Sequence, residues 1–232
     1  MDKENALRIL TQIKESDIVL DIGGWFRPFN RANFVLDFMP YETRSKGGQE
    51  GITKEYFSKQ TWIQRDISDK KPFPFKDKEI DFVICSHTLE DVRDPVFICS
   101  EICRIGQRGY VEVPSKIAEL CIGIENKHYA GCGHHRWLID TGDKRITFVF
   151  KPHFIHKYWK YHFPSRYGQR LKQEDMVQWF FWEGQFDFEE RLLIDIDQLP
   201  SEVENFIRSK QAYPQWRYQL ERLKGRLRPR RV

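Results

Sequence analysis

Short apolar runs that each stop at a polar residue or a glycine set the rhythm of the first half of the chain. Ile18-Val19-Leu20 closes on Asp21-Ile22-Gly23-Gly24, Phe34-Val35-Leu36 on Asp37, and Trp62-Ile63-Gln64-Arg65 leads to Asp66-Ile67. Asp81-Phe82-Val83-Ile84-Cys85-Ser86 runs into His87-Thr88-Leu89-Glu90-Asp91, and Tyr110-Val111-Glu112-Val113-Pro114 follows. Runs of this length, rich in β-branched and aromatic side chains and bounded by turn formers, predict strands. Helical spacing appears between and before them. Leu7, Leu10 and Ile13, with Ala6 and Ile9 beside them, predict a short amphipathic helix, and a second is expected from Asp94-Pro95 to Ile105. Gly106 and Gly109 are expected to bracket the turn into the fifth strand.

The second half is less regular. His135 to Ile139 and Arg145 to Phe150 predict two strands joined by a turn over Asp140 to Lys144. The aromatic and basic stretch from His153 to Trp182 is expected to hold two helices, and Arg191 to Ile196, after Glu189-Glu190, to form the closing strand. Residues 38–60, with Met39 to Arg44 and Gly47-Gly48, predict a loop and a short helix near Asp37, while Lys70 to Phe75 predicts a turn-rich link. The expected organisation is a single α/β domain over residues 1–200, with substrate-side insertions at about 116–188 and a C-terminal helix and basic tail over 201–232.

In open parallel sheets, ligands sit beyond the carboxyl ends of the strands, where the strand order reverses. Polar residues at several such ends therefore add up to one site. A glycine at the first turn lets backbone approach a ligand, and an acid at the end of the second strand, Asp37, can accept both hydroxyls of a ribose. A dinucleotide fingerprint would place glycines where the chain has Trp25 and Pro28, and no glycine precedes Lys-Ser or Lys-Thr as in a phosphate-cradling loop. These features point to an adenosine ligand without phosphates.

With those residues in place, the chain resembles the class I S-adenosylmethionine-dependent methyltransferases, particularly those with a methyltransferase type 11 core. The resemblance covers roughly residues 16–115 and rests on Val19 to Gly24, Val35-Leu36-Asp37, Arg65-Asp66-Ile67, Asp81 to Pro95 and Glu101 to Ile105. It implies a Rossmann-like, seven-stranded, mostly parallel sheet with helices on both faces and one antiparallel edge strand. It also implies S-adenosyl-L-methionine as cofactor, held by Asp21, Gly23, Gly24, Asp37, Asp66, Ile67, Ser86 and His87. In that scheme the Gly23-Gly24 turn borders the methionine moiety, Asp37 the ribose, Asp66 and Ile67 the adenine, and Ser86-His87 the methyl-donor end. The chain departs from the family pattern at Trp25 and Arg27, where further glycines are usual, and at Glu90-Asp91, where Glu-His is commoner.

Composition adds limits to this picture. At 232 residues the chain is long enough for one sizeable core. The net charge of +4 is concentrated at the end: residues 217–232 hold seven basic residues against the single acid Glu221, so the body has no positive excess. Nucleic acid is accordingly not the expected partner, and the tail is read as a solvated terminus with at most weak contact to anionic surfaces. Five cysteines without a Cys-x-x-Cys pair indicate neither a disulfide framework nor a zinc ribbon. No apolar stretch approaches the ~20 residues that span a bilayer, and a cytoplasmic enzyme is expected.

Methyl transfer to a hydroxyl gains from a base, and histidine suits that role near neutral pH. His135 is the leading candidate, followed by His134 and His87; each could instead be a hydrogen-bonded wall residue. Cys132, His134, His135, His153 and His156 include possible metal ligands, but without compact pairs no metal is expected. The expected function is methylation, at oxygen, of a small molecule or a glycan. The alternatives are an RNA or protein methyltransferase docking through the basic tail and a non-catalytic cofactor-binding module.

Overall fold

The computed structural model describes residues 1–45, 54–142, 144–193 and 195–220. The Gly47-Gly48 pair, Asp143 of the 140–144 turn, Ile194 and the tail beyond residue 220 lie outside the described residues.

Helix α1 (Lys3–Gln12) starts where the Asp2 carboxylate accepts from the backbone N–H of Glu4 and Asn5. Strands β1 (Val19–Ile22), β2 (Phe34–Asp37), β3 (Trp62–Gln64), β4 (Ile80–Ser86) and β5 (Gly106–Pro114) follow the apolar runs. Between β4 and β5 lies α2 (Pro95–Ile105), capped by Asp94, whose carboxylate accepts from Phe97 N–H, with Pro95 at its first position. Strand β5 begins at Gly106 directly after α2, so the expected turn over Gly106 and Gly109 is instead strand. Gly109 packs so closely on Val83 and Trp182 that a side chain there would overlap both.

The central sheet has the order β3-β2-β1-β4-β5-β8, parallel throughout except for β8 (Val177–Glu183), which pairs antiparallel with β5. Alternation decides which helix each side chain meets. Phe82, Ile84 and Tyr110 face α1, where Ala6 and Ile9 cover them, while Val83, Cys85, Val111 and Val113 face Ile98, Ile102 and Ile105 of α2. Helices therefore cover both faces. Each fully buried aliphatic side chain in these layers stabilises the fold by roughly 1.5–3 kcal/mol.

Two expectations are corrected. The sheet has six strands among the described residues, not seven, and the closing strand is β8 rather than Arg191 to Ile196. Leu192 and Ile196 stand 70% and 85% exposed and lie in no strand among the described residues, whereas β8 buries a strand-forming aromatic run. Phe180 and Trp182 pack on the α2 side and Trp179 and Phe181 on the α1 side. The end of the His153 to Trp182 stretch, expected to be helical, is therefore strand. The helices of the 153–182 stretch are single turns, α4 (Phe154–Lys157) and α5 (Ser165–Gly168).

The predicted pair of strands forms as β6 (Trp137–Gly142) and β7 (Arg145–Phe150), and β9 (Asp187–Glu190) adds to β7 in parallel to make a separate three-stranded sheet. That sheet is buried on both sides. Trp137, Ile139, Ile146 and Phe148 join the main core, while Leu138 and Val149 face a second cluster. The second cluster is closed by α3 (Lys116–Glu119) with the chain after it and by α6 (Gln198–Ser209), whose Leu199, Val203 and Ile207 recur at helical spacing.

Candidate active site

The strand order reverses between β1 and β4, and there the carboxyl ends of β1 to β4 open onto a cavity of about 820 Å3. Gly23, Asp37, Asp66, Ile67, His87 and His134 all line it, together with Trp25, Phe26, Phe38, Thr88 and Asp91. A smaller adjoining cavity of about 330 Å3 is lined by Asp21, Gly24 and Ser86, and shares Gly23, Phe26 and His87 with the first. All the cofactor residues expected from sequence thus face one of two neighbouring spaces.

Two glycines make the turn after β1 possible. Gly23 has φ +78°, and a Cβ there would fall 1.9 Å from Thr88 Oγ1. A Cβ on Gly24 would fall 2.3 Å from Asp21 Oδ2. The tightness has a purpose on each side. Thr88 donates its hydroxyl to the carbonyls of Ile22 and Ser86, both at 3.2 Å, tying β1 to β4, and Asp21 accepts from Phe29 N–H at 2.8 Å, shaping the loop after the turn. Burial pushes the Asp21 carboxyl up to about 7 against the Phe29 hydrogen bond, with Asp37 adding to the rise.

Asp37 ends β2 with its carboxylate fixed: Oδ2 accepts from Trp25 N–H at 3.0 Å and Oδ1 from Met39 N–H at 2.7 Å. Burial raises its pKa, and the backbone donors at Met39, Trp25 and Phe38 oppose the rise. A carboxylate oxygen has further lone pairs beyond one N–H, so Asp37 can still accept from ligand hydroxyls. Trp25 does not fill the cavity. Its indole N–H turns outward to donate to the carbonyl and hydroxyl of Thr43, at 2.9 and 3.0 Å. Asp66 is held by Arg93 at 2.6 Å and by Ser68 N–H at 2.9 Å, beside the buried Ile67. A fixed acid at the end of β2, close backbone at Gly23 and an open volume within the usual ~300–1,000 Å3 of small-ligand sites fit an adenosine-type cofactor.

His87 follows β4 in the left-handed region, φ +52°, with Nε2 3.3 Å from Glu112 and Nδ1 3.3 Å from Glu90. Burial disfavours the imidazolium, but the Glu112 and Glu90 carboxylates outweigh it and lift the pKa to about 9. His87 is therefore a cation near neutral pH and unsuited to take a proton. Glu112, wholly buried in β5, also accepts from Tyr110 Oη at 2.7 Å, Ser86 Oγ at 2.9 Å and Asn5 Nδ2 at 3.0 Å. Burial raises its pKa, but His87, the N-terminal amine, Asn5 and Tyr110 outweigh that and hold it well below the usual range. Ser86 is thus committed to Glu112. Nothing singled out Glu112 beforehand, although an acid inside an apolar strand signals a buried partner set.

His134 and His135 diverge. His134 lines the large cavity, with Nδ1 3.3 Å from Glu125 and Nε2 3.8 Å from Asp91. His135 lies behind the cavity wall, with Nδ1 2.5 Å from Glu119 Oε1; Glu119 also receives the buried Lys151. Burial lowers the His135 pKa, but Cys132 and Glu119 overcome it and raise it to about 10.

Residues 35–111 match a family model described as a methyltransferase domain. Similar solved structures include a chain of a complex between the Haloferax volcanii Trm112 methyltransferase activator and a methyltransferase, at 22% identity over 47% of this chain and 51% of that one, TM-score 0.35. A SAM-dependent methyltransferase from Aquifex aeolicus is 14% identical over 48% of this chain and 65% of that one, TM-score 0.34. Phosphoethanolamine N-methyltransferase 1 of Haemonchus contortus, solved with phosphoethanolamine and S-adenosylhomocysteine, is 13% identical over 89% of this chain and 47% of that one, TM-score 0.40. The chain spans about half the length of the first of these. No curated protein matches it. No helix among the described residues is long and apolar enough to cross a membrane.

Proposed function

We propose that this chain, which carries a methyltransferase domain over residues 35–111, is an S-adenosylmethionine-dependent methyltransferase acting at oxygen on a small molecule or a glycan. The observation that carries the reading is the convergence of Asp37, Gly23 and His87 from separate strand ends on one cavity whose far wall is His134, Asp91 and Glu125. Asp37 would hold the ribose, the Gly23 backbone and Asp21 the methionine portion, and Asp66 with Ile67 the adenine edge. When bound, S-adenosylmethionine supplies a methyl group already activated by its sulfonium. The chain's own task is to align the acceptor, exclude water and receive the acceptor's proton; alignment alone can lower the barrier by ~7–11 kcal/mol in favourable cases.

The acceptor's proton has one suitable destination among the three histidines. His87 is held as a cation and His135 is turned away to Glu119, whereas His134 faces the cavity with Glu125 on its other nitrogen. His134 replaces His135 as the residue assigned to the acceptor. Asp91 and Glu125 beside it disfavour a polyanionic acceptor, which supports a small molecule or glycan over RNA. The same carboxylates suit an amine, so N-methylation of a cationic small molecule is the second reading. Incubation with radiolabelled S-adenosylmethionine and panels of polyols, phenols, glycans, amines, RNA and protein separates these. Labelling confined to amines rejects oxygen transfer, and labelling confined to RNA or protein rejects a small acceptor.

A further inference from the structure

The arrangement of Asp91, His134 and His135 does more than supply one base. Their ligating atoms all lie within 4.8 Å of one another, with His134 Nε2 3.8 Å and His135 Nε2 3.9 Å from the same Asp91 oxygen, Oδ1. Each histidine presents its other nitrogen, Nδ1, to a carboxylate: Glu125 at 3.3 Å for His134 and Glu119 at 2.5 Å for His135. An ionised carboxylate only accepts, so Nδ1 keeps its proton, and an ion that binds at Nε2 displaces any second proton from the ring. Two such rings aimed at one acid reproduce the carboxylate–histidine–metal relay that orients ligands in metal sites.

The backbone keeps these groups in place. Arg136 N–H donates to Glu90 O at 2.7 Å, Arg136 Nε to Asp91 O at 3.1 Å, and the Trp137 indole N–H to Val92 O at 2.8 Å, clamping the turn after β4 to the segment entering β6. Lys151 donates to Cys132 O at 2.9 Å and fixes the start of that segment. Ligands about 2.0–2.2 Å from a tetrahedral ion are about 3.4 Å apart, so the two histidine–Asp91 separations need to contract by about half an ångström, and the third pair lies within 4.8 Å. Electrostatics favour a cation as well. Asp91, Glu125, Glu119 and Glu90 gather here, against Lys151 on Glu119 and His87, whose Nδ1 lies 3.3 Å from Glu90, so carboxylates outnumber the cations beside them.

We infer that Asp91, His134 and His135 form a binding site for one divalent transition ion of the zinc class, with its open coordination position facing the acceptor side of the cavity. Two histidines and one carboxylate are a ligand set that leaves room for water or a substrate oxygen. Resting on the oxygen-transfer reading, the ion would hold the acceptor oxygen and lower its pKa as zinc does that of bound water; His134 would then serve as a ligand rather than as the base, and the acceptor's proton would leave to water in the open cavity. Ion binding itself does not depend on that reading. Asp91 lies 43 residues before His134, which is why pairs sought along the sequence gave no metal site.

The test uses the full chain, stripped with chelator and dialysed, and titrated with Zn2+ by calorimetry and with Co2+ by visible absorption. One ion per chain with d–d bands is expected, and Asp91→Asn, His134→Ala and His135→Gln should each weaken binding at least about tenfold. Affinity for S-adenosylhomocysteine, measured in parallel, should stay within about twofold in His134→Ala. Absence of stoichiometric Zn2+ binding, or binding unchanged in His134→Ala and Asp91→Asn, overturns the site. Zn2+ binding in a protein that ignores S-adenosylhomocysteine supports the site while rejecting the methyltransferase reading.

Discussion

Replacing Gly23 by Ala tests whether the turn after β1 is as tightly determined as its geometry says. Three costs add. A left-handed backbone costs a non-glycine residue about 1–2 kcal/mol. The new Cβ would lie 1.9 Å from Thr88 Oγ1 and 2.7 Å from its Cγ2, so Thr88 must move, and overpacking of this kind costs about 1–3 kcal/mol. Moving Thr88 also loosens the hydrogen bonds to Ile22 and Ser86, worth about 1 kcal/mol in net terms. Gly23→Ala should therefore destabilise the protein by roughly 3–6 kcal/mol, read as a lower urea midpoint by tryptophan fluorescence. Thr88→Ala alone should cost about 1 kcal/mol. The double variant removes the two shortest contacts, so its loss should fall short of the sum of the singles by about 1–2 kcal/mol. A Gly23→Ala protein within about 1 kcal/mol of wild type, or strictly additive variants, would refute the reasoning.

Asp21 gives a pH signature. Its folded pKa of about 7 lies above the unfolded 3.8, so the folded state keeps a proton the unfolded chain has lost, and stability falls as pH rises from about 4 to 7, by at most about 4 kcal/mol. Urea unfolding of Asp21→Asn should lack that component, and a variant with the wild-type pH slope would contradict it. Glu112→Gln should cost about 2–4 kcal/mol by removing a buried charge that four side chains address, and in NMR titration the His87 pKa should drop from about 9 toward its ordinary value. An unmoved His87 titration would dismiss Glu112 as its partner. His134→Ala should slow methyl transfer at least about a hundredfold with little change in cofactor affinity, consistent with the usual scale of a lost proton acceptor; full turnover would return His134 to the cavity wall.

The parallel strands were legible because each is buried on both faces and so reads as a short apolar run with a polar stop. The places of Asp37 and the Gly23-Gly24 turn at strand ends were legible for a related reason: an acid or a glycine closes each apolar run. Strand β8 was not, because Trp179 to Trp182 follows a stretch rich in His, Lys and Arg, and a run of bulky aromatics fits a helix face or a strand equally well until its neighbour Tyr110 is known. Strand β9 is mostly charged, and pairing with β7 rather than burial makes it a strand. The histidines exposed the limit of reading residue types alone. His134 and His135 are adjacent in sequence, yet one faces the cavity and Glu125, 9 residues away, and the other the Glu119–Lys151 pair, of which Glu119 is 16 residues away.

The central claim is that Asp37 holds the ribose of an adenosine cofactor in the cavity beyond β1 to β4. Calorimetric titration of S-adenosylhomocysteine into wild type and Asp37→Ala, with Asp37→Asn as the near-isosteric control, tests it most directly. One molecule should bind saturably per wild-type chain, and Asp37→Ala should lose about 10- to 100-fold in affinity, the 1.5–3 kcal/mol of hydrogen bonds to a charged group. No binding to the wild type, or equal affinity in the Asp37→Ala chain, would contradict it.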